Sequence, residues 1–495
     1  MQPAAVPAVA MTLIDSNPAV SMPTSGTDFL KSKRRVHLLG AGGAGISGAA
    51  RLLVGAGHSL TGHDRERSAF SQSIESLGVR TVYGPSQASN LPAGTELVIR
   101  SAAIPDSDPQ VQAAHALGIA VWKYADMLAW LSRHYKVMAV AGTHGKTTTT
   151  WMLHHALIGI DSMRDAGALV GGLHADLRTN AVAPGEGGLL AVEACEYDRT
   201  FLRLEPRGAV ITNVEADHLD YYGDLQAIEE AFARFASQVS PQGLLVVGDQ
   251  VPAMIEEAAR CDVWRLGREV QLKVTSHRAD RHVFRLSGPG WSLPEVRLRV
   301  PGAFNATNAA LAIALAMGRA QRRGEDLRLA ADKVAESIGR FRGVSRRFES
   351  WGTVGGIELV HDYAHHPTEV RVTMDAARRA IPGKPLHVLF QPHQHSRTAR
   401  FLEQFAVALQ GAARVVVADV YGARNHIDSQ SAGSAELVDR LVQLGVPAVQ
   451  GGSPAQSAST LAAGLQGVSA ALILGAGDID GIQDELRSQL ALRCT

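Results

Sequence analysis

A lysine and a threonine set behind two glycines, at the end of an apolar run, can hold a chain of phosphates. Residues 137–148 read Val-Met-Ala-Val-Ala-Gly-Thr-His-Gly-Lys-Thr-Thr. The apolar stretch predicts a buried strand, and Thr148 to about Ile158 predicts a helix. Gly142, Thr143, His144, Gly145, Lys146, Thr147 and Thr148 therefore fall at the turn between them. The leading N–H groups of a helix lack partners and sit at the positive end of its dipole. Glycines let the backbone approach an anion and adopt positive φ. Lys146 adds a mobile charge for the β- and γ-phosphates of a nucleotide, and Thr147 a hydroxyl for Mg²⁺. Val140 stands six residues before the lysine, where a glycine is usual, so the turn is short. The plain alternative is a Gly-rich strand–helix turn with a solvated lysine; the flanking strand and helix favour phosphate.

Other candidate groups follow other apolar runs, where ligands bind in open α/β sheets. After Leu189–Val192 comes Glu-Ala-Cys-Glu-Tyr-Asp (193–198), and after Ala209–Thr212 comes Asn-Val-Glu-Ala-Asp-His-Leu-Asp (213–220). Mg²⁺ prefers oxygen ligands, so Glu193, nearest its strand end, is the expected metal carboxylate. His218 can serve a second divalent ion. Glu196, Asp198, Glu215 and Asp220 are each expected to be solvated or helix-capping. Further on, His-Asp-Tyr-Ala-His-His-Pro-Thr-Glu (361–369) and Gln-Pro-His-Gln-His-Ser-Arg-Thr-Ala-Arg (391–400) also follow apolar strands. Their histidines suit substrate hydrogen bonding better than metal binding. Arg346, Arg347, Arg397 and Arg400 are candidate oxyanion clamps, with ordinary surface arginine as the alternative.

Three segments must position these groups. From Arg34, the strand Val36–Leu39 enters Gly40-Ala-Gly42-Gly43-Ala-Gly45, then a small-residue helix, then Ser59–Gly62 and Asp64. This matches the G-x-G-x-x-G turn in its strand–turn–helix setting, with Asp64 placed as a ribose-binding acid. A second segment carries the phosphate turn, with a polar, mostly β stretch at 263–300 expected as an inserted antiparallel meander and a helix from about Asn305 to Met317. A third has strands at 357–361, 386–390, 414–418 and 471–474. The expected fold is α/β with three domains: a leader at 1–33 expected to be disordered, a Rossmann-like domain at 34–135, a central P-loop ATPase-like domain at 136–342 and a Rossmann-like C-terminal domain at 343–495.

The chain has 495 residues, 46% apolar, with 48 basic and 48 acidic side chains. That balance gives no electrostatic reason to expect nucleic acid or membrane partners. No run reaches transmembrane length. Three scattered cysteines, Cys195, Cys261 and Cys494, form neither a disulfide framework nor a zinc pattern, and a cytoplasmic location is expected.

Taken together, HLLGAGGAGISG (37–48), AGTHGKTTT (141–149), EACEYDRTFL (193–202), TNVEADHLDYYGD (212–224), PGAFNATNA (301–309), GVSRRFE (343–349), DYAHHPTEV (362–370), QPHQHSRT (391–398) and GAGDI (475–479) resemble the Mur ligases, in order and across nearly the whole chain after the leader. The alanine-adding members are the nearest. The resemblance implies an ATP- and Mg²⁺-dependent ligase of peptidoglycan precursor synthesis, a monomer or homodimer. It would join L-alanine to UDP-N-acetylmuramate through an acyl phosphate. The alternative within the family is a recycling ligase that attaches a ready-made tripeptide to the same sugar, towards which Glu196-Tyr197-Asp198 leans. Outside it, an NAD-dependent oxidoreductase built on Gly40–Gly45 leaves Lys146–Thr147 unexplained, and a non-catalytic nucleotide sensor would not need so complete a site.

The resemblance also implies roles. Gly40, Gly42, Gly43 and Gly45, with Asp64, would face the UDP-sugar. Lys146 would contact the β- and γ-phosphates. Thr147 and Glu193 would hold one Mg²⁺, and His218 would help hold a second. Asn305 and Asn308 would meet the adenine side, Arg347 the phosphates and Asp362 the ribose. His365, His393 and Arg397 would line the pocket for the amino acid and intermediate. The chain departs from the pattern at Phe304 (commonly His), at Cys195 and Tyr197 (commonly Asp and Ser) and at Gln394, where alanine-adding members usually carry Arg. An amide there leaves Arg397 or Arg400 to grip the amino-acid carboxylate.

Overall fold

Apolar side chains run unbroken along the central strands of this molecule, and cores on both of their faces build its layers. In a computed structural model describing residues 30, 32–278, 281–422, 433–465 and 467–493, the chain forms three α/β units in sequence order. The first has β1 (Arg35–Leu39), β2 (Ser59–Asp64), β3 (Arg80–Tyr83), β4 (Leu97–Arg100) and β5 (Ala120–Lys123), all parallel in the order β3-β2-β1-β4-β5. The order reverses beside β1, so the Gly40–Gly45 turn lies at the switch point. Most of the expected leader lies outside the described residues. Among those of its residues that are described, Leu30 is 4% exposed and packs into the first core, so that side chain belongs to the folded unit. Cys494 also lies outside them, and Cys195 and Cys261 are free thiols.

The central sheet comprises β6 (Lys136–Ala141), β7 (Gly167–Leu169), β8 (Ala181–Val182), β9 (Leu189–Glu193), β10 (Gly208–Ile211), β11 (Leu244–Val247) and β12 (Asp262–Arg265) in the order β12-β11-β10-β6-β9-β7-β8, with only β8 antiparallel. Along β6, Met138 and Val140 face one core, which includes the helix Phe304–Arg322. Val137, Ala139 and Ala141 face another, which continues into the first unit. A strand buried on both faces reads as an unbroken apolar run for this reason. The expected meander starts later than 263. Residues 262–265 form β12, a parallel edge strand of the central sheet, and the antiparallel insert is β13 (Gln271–Arg278), β14 (Arg281–Gly288), β15 (Trp291–Ser292) and β16 (Val296–Leu298). Half-exposed edge strands and meander strands share a two-residue period, so the pattern does not say which sheet takes them.

The last sheet comprises β17 (Glu349–Val354), β18 (Ile357–Asp362), β19 (Leu386–Phe390), β20 (Arg414–Ala418), β21 (Ala448–Gly452) and β22 (Ala470–Leu474), ordered β17-β18-β22-β19-β20-β21 with β17 antiparallel. Among the described residues, no helix is long and apolar enough to cross a membrane.

Candidate active site

The turn after β6 is fixed from both sides. Gly142 and Gly145 have φ of 137° and 81°. A Cβ at Gly142 would collide with the Thr212 hydroxyl beyond β10, and one at Gly145 would come within 2.8 Å of Asn308 Oδ1 on the helix Phe304–Arg322. The His144 N–H donates to Asn213 Oδ1 at 2.8 Å, and the Thr212 hydroxyl donates to the His144 carbonyl at 2.7 Å. Lys146 opens the following helix, Lys146–Ile158. Its Nζ donates to the carbonyls of Gly142 (2.6 Å) and Thr143 (2.9 Å) and to Glu196 Oε1 (2.9 Å). Burial alone would lower its pKa, but Glu196 beside it holds it above the ordinary lysine value. The Thr147 hydroxyl donates to Glu193 Oε1 at 2.9 Å, and Glu193 Oε2 accepts the Gly171 N–H at 2.6 Å. Two oxygen donors thus meet at the ends of neighbouring strands, as a small hard cation requires.

Beside the turn lies a cavity of about 170 Å³ between the central and last units. His144, Gly145, Thr147, Thr148, Asn305, Asn308, Arg347 and Asp362 all line it, with Phe304. Gly142, Thr143 and Lys146 form the adjoining part of the same turn. Asn308 Nδ2 donates to Asn305 Oδ1 at 3.2 Å. Asp362 accepts the N–H groups of Phe348 (2.7 Å) and Ala364 (2.8 Å), so it also shapes the turn that carries Arg347. Burial raises its carboxyl to about 6, against the pull of Arg347.

His144 joins the two units. Its Nδ1 lies 3.2 Å from Glu369 and its Nε2 lies 3.6 Å from Glu215. Glu215 also accepts from the Thr368 hydroxyl at 2.7 Å. Donor atoms of His144, Glu215 and His366 lie within 4.8 Å of one another, close enough for a metal. The protons argue otherwise. His366 Nδ1 accepts the Thr368 N–H at 3.3 Å, which places the ring proton on Nε2, a donor and not a ligand. Burial alone would lower the pKa of His144, but Glu215 and Glu369 raise it to about 9. Hydrogen bonding to His144 in turn lowers Glu215 to about 2, against its burial.

This trio is an ionic clasp whose strength depends on pH. The His144 term is full below its ordinary 6.5 and is lost as pH rises through about 9. The Glu215 term is full above its ordinary 4.5 and is lost as pH falls through about 2. The clasp is therefore complete between those ordinary values. The melting temperature should fall more steeply from pH 6.5 to 9 in the unmodified protein than in His144→Ala. Equal slopes would mean the ring is uncharged.

A second cavity, of about 230 Å³, is lined by Asp217, His218, Gln394, Arg397 and Arg400 among others. Arg397 donates to Asp217 Oδ1 at 2.6 Å, and both side chains are buried. Arg397 is thus already paired. Its Nη1 also lies 3.4 Å from His393 Nδ1, and the His393 ring stands 5.5 Å from that of His365. Burial lowers His365 to about 4 and lowers His218 as well, although Asp217 and Glu196 pull the other way. His218 Nε2 lies 3.8 Å from Glu196 Oε1. Seven described non-glycine residues have positive φ, and three of them, His218, Phe348 and Gln394, line these two cavities.

The first unit's turn reaches the same place through Tyr124. A Cβ on Gly45 would lie 2.9 Å from the Tyr124 ring. Burial, with Glu193 and Cys195 nearby, pushes the Tyr124 hydroxyl above its usual range. Asp64 Oδ2 accepts the Gly42 N–H at 2.7 Å and so closes the Gly40–Gly45 turn.

Comparison with known proteins decides the family. Models described as the Mur ligase family catalytic domain, the Mur ligase middle domain and the Mur ligase glutamate ligase domain match residues 35–136, 140–316 and 346–477. A UDP-N-acetylmuramate–L-alanine ligase of Salinibacter ruber is 38% identical over 458 residues, 90% of this chain and 93% of the relative. The chain belongs to the Mur ligase family. A second relative of that description, from Saccharopolyspora erythraea, is 37% identical, covering 94% of this chain and 95% of its own. Among solved Mur ligases, the UDP-N-acetylmuramate-alanine ligase of Thermotoga maritima superposes with a TM-score of 0.76 at 26% identity, covering 92% of this chain and 99% of its own. A murein peptide ligase of Psychrobacter arcticus has a TM-score of 0.68 at 22% identity, with the same coverage, and shares the fold.

Several groups of this Mur ligase site were not singled out from sequence. Glu196, expected to be solvated or capping, is 3% exposed and paired with Lys146. Glu215, weighed the same way, contacts the last unit. Asp217, Tyr124 and Glu369 were not weighed individually. The one available signal was their place inside the quoted motifs EADHLDYYGD and DYAHHPTEV; Tyr124 had none.

Proposed function

We infer that this chain is an ATP-dependent ligase that joins L-alanine to UDP-N-acetylmuramate in peptidoglycan precursor synthesis. Identity of 34–40% to several relatives of that description, over most of the chain, carries the reading. The tripeptide-adding alternative is not favoured, since the relatives at 34–40% identity carry the alanine-ligase description. On this reading the work is cytoplasmic.

The chemistry asks the protein to bring two anions together. ATP supplies the phosphoryl group that converts a carboxylate oxygen into a leaving group. Lys146, Arg347 and the helix N-terminus at Gly145 offset the repulsion between triphosphate and sugar acid. Thr147 and Glu193 would hold one Mg²⁺, and the neutral His218 offers a lone pair towards a second. Asn305 and Asn308 lie where a base would enter the cavity beside the phosphate turn, and Asp362 steadies Arg347 there. Gly40, Gly42, Gly43 and Gly45 offer the UDP diphosphate a helix terminus in the unit we assign to 34–135. The units at 136–342 and 343–495 then bind ATP and amino acid. Alignment supplies most of the acceleration, because little covalent chemistry falls to the side chains.

The test is phosphate release with UDP-N-acetylmuramate and ATP, supplied with alanine, each other common amino acid, or the tripeptide. Release with alanine alone is expected; release with tripeptide alone overturns the reading. The cavity lined by Asp217, Gln394, Arg397 and Arg400 adds a sharper expectation. Asp217 neutralises Arg397, and Gln394 is uncharged, so Arg400 is the cation left to meet the alanine carboxylate. Arg400→Ala should raise the KM for alanine about tenfold with the KM for ATP little changed. Gln394→Arg should shift the alanine KM more than the ATP KM. Equal shifts in both would place the amino acid elsewhere.

A further inference from the structure

The mechanism above leaves one buried charged group without a task. Glu196 is 3% exposed, and both of its oxygens reach Lys146 Nζ, at 2.9 and 2.8 Å. Oε2 makes no hydrogen bond of good geometry although it is shielded from solvent. The backbone of Glu196 is pinned, because its carbonyl accepts from the Tyr222 hydroxyl (2.5 Å) and from the Arg199 N–H (3.0 Å). Only the side chain is left to move.

A lysine ammonium has three donors. Here the Gly142 carbonyl, the Thr143 carbonyl and Glu196 take them. The amine is therefore turned back onto its own turn. To reach a phosphate it must give up at least one of these partners, and the carboxylate holds it hardest. A buried carboxylate stripped of its cation is strongly unfavourable unless another cation takes its place. His218 Nε2 stands 3.8 Å from Glu196 Oε1 on the other side. A carboxylate oxygen facing an imidazole nitrogen is a donor pair for a divalent cation.

We propose that Glu196 is a positioning residue that stores Lys146 in the nucleotide-free protein and releases it in exchange for a divalent cation, which it then shares with His218. The proposal rests on reading the Gly142–Thr148 turn as the triphosphate site. It makes metal and nucleotide binding mutually dependent through one buried charge. Without metal, a nucleotide must break the Lys146–Glu196 pair unaided; with metal, the pair is exchanged.

Calorimetric titration of ADP into the full chain, without sugar or amino acid, tests this in EDTA and in Mg²⁺. In EDTA, Glu196→Gln should bind ADP about tenfold tighter than the unmodified protein, the weight of one charge-assisted hydrogen bond. The tightening produced by Mg²⁺ should shrink in Glu196→Gln. In His218→Ala that tightening should also shrink. Should Glu196→Gln prove insoluble, Glu196→Asp withdraws the carboxylate by one methylene and should give the same sign. Metal-free affinity that is unchanged or weaker in the Glu196 variant overturns the exchange. If the unmodified protein binds no ADP in either buffer, the triphosphate reading itself fails, and the exchange with it.

Discussion

Lys146→Ala lowers phosphate release by about 10³-fold, the upper range for losing one preorganised charge at a reacting centre. Two effects must be separated in that number. The amine is lost from the triphosphate, which is the catalytic term. Glu196 is also left buried without its cation, which costs about 3–5 kcal/mol of stability. The double variant Lys146→Ala/Glu196→Gln removes the stranded charge, so its melting temperature should recover while its rate does not. UDP-sugar binding, measured by calorimetry without nucleotide, should stay near normal in the double variant, because the turn assigned to it belongs to another unit. Loss of sugar binding together with the rate would show that the Gly40–Gly45 turn is not where the sugar nucleotide docks.

The second large effect is expected at the join between the central and last units. Asp217→Asn leaves the Arg397 guanidinium buried beside a neutral amide, where its partner had been 2.6 Å away. Breaking one side of such a pair costs about 3–5 kcal/mol. The nearby Arg397 holds Asp217 below the ordinary carboxyl range despite its burial. The stabilisation is thus present above the ordinary value of 3.8 and disappears as pH falls towards the folded value. Guanidinium unfolding at pH 7, followed by a probe in the last unit, should show the loss, and the difference between variant and parent should narrow in acid. An effect below about 1 kcal/mol would be that of a solvated pair, and would mean that the two units stand apart in solution. Replacing both partners with apolar residues of similar size should restore much of the stability but not alanine binding.

Much of this was legible in the chain itself, for reasons of distance along it. The strand, glycine turn and helix at 137–158 are local, so pattern and chemistry agree there. Glu193 follows the same logic, as the first polar residue after an apolar run. Glu196 was misread because an acid between Cys195 and Tyr197 looks solvated until Lys146 arrives from fifty positions earlier. Asp217 and Arg397 are 180 positions apart, and nothing in either neighbourhood announces the other. Residues 262–265 joined the wrong sheet in the sequence reading because edge strands of both kinds alternate in the same way. The leader expectation missed Leu30, because the pair Phe29-Leu30 is too short an apolar run to separate from its surroundings.

Three residues lining the two cavities, His218, Phe348 and Gln394, sit at the positive φ that glycine prefers, each at a cost of order 1 kcal/mol. The surrounding sheets, with their buried apolar faces, supply the surplus that keeps these loops in shape. Warming erodes such a surplus at its weakest margin. The rim that aligns the reactants should therefore slacken while the sheets still stand, and turnover should fade at temperatures where the bulk of the molecule remains folded.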